Sequence, residues 1–129
     1  MSNRRIRGWG NTYRTGYLRS RTWFQRRDQW FADERAHGAV ISCAACGREA
    51  KPSQLELHHN DYRGVIRTER GWVSRESHRD LVPLHPLCHE LLHRLLERDR
   101  VLGRMRTRRD ASTLALVRLR QKLSSAGTT

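Results

Sequence analysis

The stretch from Asp80 to His93 reads Asp-Leu-Val-Pro-Leu-His-Pro-Leu-Cys-His-Glu-Leu-Leu-His. Its last nine residues hold four side chains that can bind a metal, namely His85, Cys88, His89 and His93. Pro86 suits the first position of a helix, where its missing N–H costs nothing, and the leucines that follow recur at helical spacing. The stretch therefore predicts an extended segment over residues 81–84 that leads into a helix bearing metal ligands.

A second pair of candidate ligands lies upstream, in Cys43-Ala-Ala-Cys46. Zinc favours four sulfur or nitrogen ligands in a tetrahedron, and two short turns with a connection between them provide that geometry. His85 and Cys88 have the same two-residue spacing, although His89 and His93 also recur at four-residue intervals from His85 and can share its helical stripe. We assign a structural zinc to Cys43, Cys46, His85 and Cys88.

Four histidines, two of which were named above, fall into two pairs. Leu55-Glu-Leu-His-His59 alternates like a short strand, so His58 and His59 are expected to point to opposite sides of it. His89 and His93 are four residues apart, so their rings project from one face of the predicted helix. One strand histidine is then a ligand of a second metal together with the helix pair, and the other remains free as a base.

Length and composition limit the protein class. A chain of 129 residues with 36% hydrophobic residues indicates one domain with a modest core, which a structural metal would supplement. Three cysteines, an odd number, indicate metal binding in a reducing compartment rather than a disulfide framework. Neither a membrane span nor a signal peptide is visible, so we expect a cytoplasmic protein without a membrane partner.

The net charge of +13 is unevenly distributed. Residues 36–93 carry seven bases and seven acids, so the whole surplus lies in the flanks, and 24 of the 26 basic residues are Arg. Arginine suits bidentate phosphate contacts, and a field of this size predicts a polyanionic partner. The expected phosphate contacts are Arg19, Arg21, Arg26, Arg27, Arg104, Arg106, Arg108 and Arg109.

Breakers and caps divide the chain into three parts. Residues 1–19 are predicted to be a flexible basic arm, residues 20–103 the main domain, and residues 104–129 a basic helical extension. Ser20 is the expected N-cap of a helix over residues 21–37, and Ser112 that of the last helix. Residues 60–79 are predicted to form a polar loop.

The order of these motifs resembles the HNH endonucleases of the zinc-containing ββα-metal type. The resemblance covers residues 43–93 with specific motifs and, less specifically, the preceding helix. It implies an α+β fold with a small ββα-metal (His-Me finger) core and a zinc knuckle pair, flanked by an N-terminal and a C-terminal helix. Two positions depart from the family pattern: Asp80 replaces its middle Asn, and His85 replaces its usual third cysteine.

By this resemblance the protein is a metal-dependent DNA endonuclease of phage, mobile-element or restriction type. His59 would be the general base, His58, His89 and His93 would hold one divalent ion, and Asp80 would position the loop. Imidazole ligands suit Mn²⁺, Ni²⁺ or Zn²⁺, and a mostly hydrated Mg²⁺ also fits. The products would carry a 5′ phosphate and a 3′ hydroxyl.

Two other classes compete with the enzyme. One is a non-catalytic zinc-stabilised module that binds nucleic acid through its basic flanks, and the other is a phage packaging accessory with a protein partner. A binding module needs the zinc ligands but has no use for His59 beside three further histidines. Sequence specificity, the choice between DNA and RNA, and the oligomeric state are not encoded in these motifs.

Overall fold

Helices and two small antiparallel sheets make up the computed structural model, which describes residues 14–105 and 107–127. The helices are α1 (Arg21–Ala36), α2 (Pro86–Arg98), α3 (Arg100–Gly103) and α4 (Arg108–Gly127). The strands are β1 (Glu56–His59), β2 (Val65–Thr68), β3 (Gly71–Ser74) and β4 (Leu81–Leu84). The predicted α+β class is confirmed at this level.

The pairing of β1 with β4 positions the histidines. The two strands are antiparallel, with His58 opposite Val82 and His59 opposite Leu81. Only His85 separates β4 from α2, which begins at Pro86 as the sequence predicts. The helix therefore starts directly beside the strand that pairs with the His58–His59 dipeptide.

Helix α1 covers one side of the core. The side chain of Ser20 accepts a hydrogen bond from the backbone N of Trp23 at 3.1 Å, which satisfies one of the free N–H groups at the helix start. Trp23, Trp30 and Phe31 are buried. The predicted helix and its N-cap are confirmed, with the end at Ala36 rather than at residue 37.

Two parts of the sequence prediction are wrong. Residues 60–79 are not one polar loop, because β2 and β3 form a hairpin within them. Residues 14–18 are helical rather than part of a flexible arm, and the Tyr17 side chain is buried. The rest of the predicted arm, residues 1–13, lies outside the described residues.

The C-terminal helix begins earlier than predicted. α4 starts at Arg108, and the Thr107 hydroxyl accepts a hydrogen bond from the backbone N of Asp110 at 3.1 Å. Ser112, the predicted cap, is instead buried inside the helix. Ala115 and Leu119 join the main core, so α4 packs against the domain that holds the metal ligands. Within the described ranges, no helix combines the length and apolar character of a membrane span.

Candidate active site and zinc-binding cluster

Three cysteines and a histidine converge where the 43–46 turn meets the start of α2. The ligand atoms of all four lie within 4.8 Å of one another, and the Sγ of Cys46 is 3.3 Å from the Nδ1 of His85. This cluster can hold a metal such as zinc, which binds such sets tetrahedrally. The predicted quartet is thus brought together, with His85 at its fourth position: Cys43, Cys46, His85 and Cys88.

Backbone hydrogen bonds hold the 43–46 turn in place. The N–H of Gly47 donates to the carbonyl of Cys43 at 2.9 Å, and Gly47 has φ +79°, which glycine adopts without a Cβ penalty. The N–H of Ala44 donates to the carbonyl of Pro83 at 2.8 Å, so the turn is fixed to β4. The spacing between this turn and the start of α2 is therefore set by the sheet.

The thiols of the cluster differ in acidity. Burial raises the pKa of Cys43, but hydrogen bonds from the backbone of Cys46, His85 and Ala45 outweigh it and lower that pKa to about 6. Burial and the neighbouring charge of Cys43 raise the pKa of Cys88 to about 12. One thiolate thus opposes ionisation of the next, and a bound cation is what would allow several thiolates to coexist.

The second cluster joins β1 to α2. The Nε2 of His89 lies 3.2 Å from the Nδ1 of His58 and 3.0 Å from the Nε2 of His93. The other nitrogen of His89, Nδ1, donates to the Oε1 of Glu56 at 3.0 Å, because a carboxylate only accepts. In the neutral ring, Nε2 of His89 therefore presents a lone pair to the other two rings, an arrangement that can hold a metal ion.

Burial keeps the rings of His58 and His93 neutral near pH 7. It is the largest cause that lowers the pKa of His58 well below its usual value, followed by the charge of Arg108. Burial and then His89 lower the pKa of His93 to about 4. Neutral imidazole is the form that binds metals, so near neutral pH these side chains are ready to act as ligands. The outer nitrogen of His58, Nε2, lies 3.1 Å from the buried Ser112 hydroxyl.

His59 points away from the three-histidine cluster, as the strand pattern predicts. Its side chain is only 1% exposed and lies between the Tyr62 ring, stacked at 4.2 Å, and the Trp23 ring at 4.7 Å. The Nε2 of His59 lies 2.8 Å from the Oε2 of Glu76, while Nδ1 has no hydrogen-bond partner in the described part of the chain. Burial lowers the pKa of His59 despite the opposing effect of Glu76.

Glu76 is a site residue that the sequence reading missed. Its carboxylate is buried and also accepts a hydrogen bond from the Tyr17 hydroxyl at 2.6 Å. Burial raises the pKa of Glu76, but hydrogen bonds from His59 and Tyr17 outweigh it, so the pKa is lowered and the carboxylate is charged. Because it is charged, Glu76 accepts the Nε2 hydrogen of neutral His59, and the His59 lone pair is on Nδ1.

A close backbone approach brings Glu76 to this position. The N–H of Arg75 donates to the carbonyl of Gly64 at 2.7 Å, and a Cβ on Gly64 would meet the Arg75 backbone at 2.3 Å. Only glycine fits there without a shift. The spacing from His59 to Glu76 in the sequence does not predict their contact. Gly64 was the one sequence signal that the backbone passes close to another segment at this point.

The role predicted for Asp80 needs correction. Its backbone carbonyl accepts a hydrogen bond from the N–H of Asn60 at 2.8 Å, but within the described residues its buried carboxylate has no hydrogen bond to the loop backbone. That carboxylate instead accepts two hydrogen bonds of 2.8 Å from Arg109 of α4. The extra charge relative to an Asn is therefore compensated by an arginine from the C-terminal helix.

Several arginines predicted to contact phosphate are occupied within the protein. Arg26 donates to the Glu76 carbonyl, Arg27 to the carbonyls of Pro52 and Leu55, and Arg109 to Asp80 and Asp61. Arg108 is half-buried and donates from Nε to the carbonyl of His59 at 3.0 Å. Arg19, Arg21 and Arg104 are exposed, as is Arg109 despite its pairing with Asp80 and Asp61, while Arg106 lies outside the described residues.

Comparison with known proteins gives no match to this chain among family models, curated proteins or solved structures. We therefore infer function from the two clusters, the His59–Glu76 pair and the charge of the molecule.

Proposed function

We propose that this protein is a metal-dependent DNA endonuclease that hydrolyses phosphodiester bonds, of the HNH type that its motifs resemble. The observation that carries the proposal is the convergence of the His58, His89 and His93 nitrogens on one side of β1, with the buried His59–Glu76 pair on the other side. Phosphodiester hydrolysis requires a bound metal ion and a general base, and the dipeptide His58–His59 would supply a metal ligand and a base.

The local fold supports a ββα-metal core. β1 and β4 form an antiparallel pair, α2 follows β4 directly, and the three histidines come from β1 and α2. The zinc-type cluster lies at the junction of β4 and α2, where it would fix the helix that carries His89 and His93. A metal bound by the zinc-type cluster would then stabilise the helix that carries His89 and His93, and it would take no part in the chemistry.

The residues of the chain divide the chemical work. His59 is neutral near pH 7, and its Nδ1 lone pair can accept a proton from a water molecule while Glu76 holds Nε2. Glu76 also stabilises the imidazolium that results, because the carboxylate is charged and buried beside it. A divalent ion on His58, His89 and His93 would polarise the phosphate and stabilise the departing 3′ oxygen.

Glu56 and Ser112 support the ligand set. Glu56 fixes the tautomer of His89 through Nδ1, and Ser112 contacts the outer nitrogen of His58. Outer partners of this kind orient metal-binding histidines and raise their basicity. Their presence favours a metal role for the three rings over a purely structural packing of histidines.

A second function is favoured by one observation, the 1% exposure of the His59 side chain. A base so enclosed needs a path for water and phosphate to its Nδ1, whereas a zinc-stabilised module that only binds nucleic acid needs none. The net charge of +13 supports both functions equally. Activity, not binding, separates them.

The deciding experiment is cleavage of supercoiled plasmid by the purified protein with Mg²⁺, Mn²⁺, Ni²⁺ or Zn²⁺. His59→Ala is the test variant, and His37→Ala is its control, because His37 is exposed and, in the described part of the chain, its ring bonds only the Asp33 carbonyl of α1. Metal-dependent cleavage that is lost in His59→Ala and kept in His37→Ala supports the endonuclease. DNA binding without cleavage under any metal would favour the binding module.

A further inference from the structure

Two arginines from opposite ends of the described chain meet at one aromatic ring. The guanidinium carbon of Arg14 lies 4.6 Å from the centroid of the Tyr62 ring, and that of Arg108 lies 5.3 Å from it. His59 is stacked on the same ring at 4.2 Å. Tyr62 thus connects the histidine proposed as the base to two cations that lie outside the motifs.

These two cations are poorly compensated. Within residues 14–105 and 107–127, Arg14 has no ion pair or hydrogen bond, and Arg108 donates only its Nε, to the carbonyl of His59. Asp61 is the nearby acid, but its Oδ2 pairs with Arg109 at 3.1 Å. Burial and the charge of Arg14 lower the pKa of Arg108, as expected for two like charges held together.

The same two cations lie close to the three-histidine cluster. Arg108 donates to the carbonyl of His59, the neighbour of His58, and Ser112, one turn further along α4, lies 3.1 Å from the Nε2 of His58. Like charges placed together next to a group of metal ligands raise the energy of the free protein unless an anion binds between them. The geometry therefore calls for an anionic ligand beside the cluster.

We propose that Arg14 and Arg108, supported by the Tyr62 ring, form a clamp for a backbone phosphate of DNA next to the three-histidine cluster. Their planar guanidinium groups can each donate two hydrogen bonds to phosphate oxygens, and the flat ring below them limits their motion. The clamp rests on the proposed action on DNA and deepens it, because it would fix the strand relative to His59.

The proposed clamp changes which arginines are expected to contact DNA phosphates. Arg108 and Arg109 are neighbours in sequence, yet Arg109 is neutralised by Asp80 and Asp61 while the terminal nitrogens of Arg108 have no hydrogen-bond partner in the described chain. Arg14 adds a contact from the N-terminal side that the charge distribution alone did not single out. The phosphate contacts nearest the site would thus come from both flanks at once.

The test measures binding of a fluorescent duplex oligonucleotide over a range of salt concentrations without added Mg²⁺ or Mn²⁺, so that cleavage does not interfere and the His59 ring remains stacked on Tyr62. Arg14→Gln and Arg108→Gln should each reduce the slope of log affinity against log salt by about 0.9, and the double variant by about twice that. Arg48→Gln is the matched control. Arg48 is exposed beside the 43–46 turn, and its substitution removes the same single positive charge.

Arg14→Gln keeps the test valid if loss of the Arg108 hydrogen bond to His59 unfolds the protein, and thermal melting identifies that case. Slopes unchanged in Arg14→Gln, or lowered equally by Arg48→Gln, would overturn the clamp. The outcome is independent of activity: a protein that binds through the clamp but cuts nothing refutes the endonuclease alone. If the parent protein cuts plasmid but the salt slopes of Arg14→Gln and Arg108→Gln equal that of the parent, the clamp alone is refuted.

Discussion

The Nε2 of His59 lies 2.8 Å from the Oε2 of Glu76, and both side chains are almost completely buried. The two residues are brought together by different elements, His59 by β1 and Glu76 by the segment between β3 and β4. The pairing selects one tautomer of His59 and leaves its Nδ1 as the free basic atom. The proposed chemistry depends on this atom.

Replacement of Glu76 should reduce cleavage without loss of either metal cluster. Glu76→Ala leaves His59 free to change tautomer, and we expect a rate loss that approaches the range of about 10² to 10⁴ associated with loss of a general base. Glu76→Gln retains an oxygen acceptor and should recover part of the rate. Single-turnover plasmid cleavage measures both variants, and unchanged bound zinc shows that the fold persists. Equal rates in Glu76→Ala and the parent would contradict the role.

Loss of a cysteine ligand should unfold the protein. Cys43→Ser or Cys88→Ser removes one ligand from the cluster, and we expect loss of bound zinc and of cooperative thermal unfolding, because metal free energy supplements a small core. Elemental analysis and circular dichroism measure the two effects, with His37→Ala as the control that retains both. A well-folded parent protein free of zinc would contradict the assignment.

The elements with strong end signals were predictable from sequence, and the contacts between distant segments were not. Ser20 and Pro86 each mark a helix start by a local rule, so α1 and α2 were located within a residue or so. The β2–β3 hairpin was missed because its exposed face carries polar residues such as Arg67, and only Gly71, with φ +114°, marks the turn. Local sequence patterns reveal helix caps and turns, but they do not reveal which distant segments come into contact.

The candidate site shows the same division. The ligand quartet and the opposite orientations of His58 and His59 follow from spacing and strand geometry alone. The different environments of Arg108 and Arg109 could not be predicted, although successive helical residues are rotated by about 100°. Which of them would meet Asp80 depends on how α4 packs against the sheet, and that depends on the whole core.

Gly64 should tolerate no side chain. In Gly64→Ala the new Cβ would lie 2.3 Å from the Arg75 backbone, so the segment that carries Glu76 must move. We expect a destabilisation of about 1–3 kcal/mol, the usual cost of overpacking, together with slower cleavage. Gly16→Ala is the matched control, because its Cβ would only touch the Trp72 side chain at an ordinary 3.5 Å. Thermal melting and plasmid cleavage that are normal in Gly64→Ala would show that the close approach is not required.

Removal of the Glu56 carboxylate should weaken the metal dependence specifically. Glu56 accepts the hydrogen of His89 Nδ1 at 3.0 Å, and loss of such an outer partner typically costs about 10- to 100-fold in metal affinity. In Glu56→Ala, which removes the acceptor, we therefore expect the Mn²⁺ concentration for half-maximal cleavage to rise by that factor, with little change in the rate at saturating metal.

Glu90→Ala is its control, since Glu90 is exposed on α2 and, within the described residues, pairs only with Arg94. Loss of charge alone would affect both variants, whereas loss of the orienting hydrogen bond affects only Glu56→Ala. His93→Ala removes a ligand outright and should raise the required Mn²⁺ further than Glu56→Ala does. An identical Mn²⁺ dependence in the parent protein, Glu56→Ala and His93→Ala would place the metal elsewhere and remove the three-histidine cluster from the proposed active site.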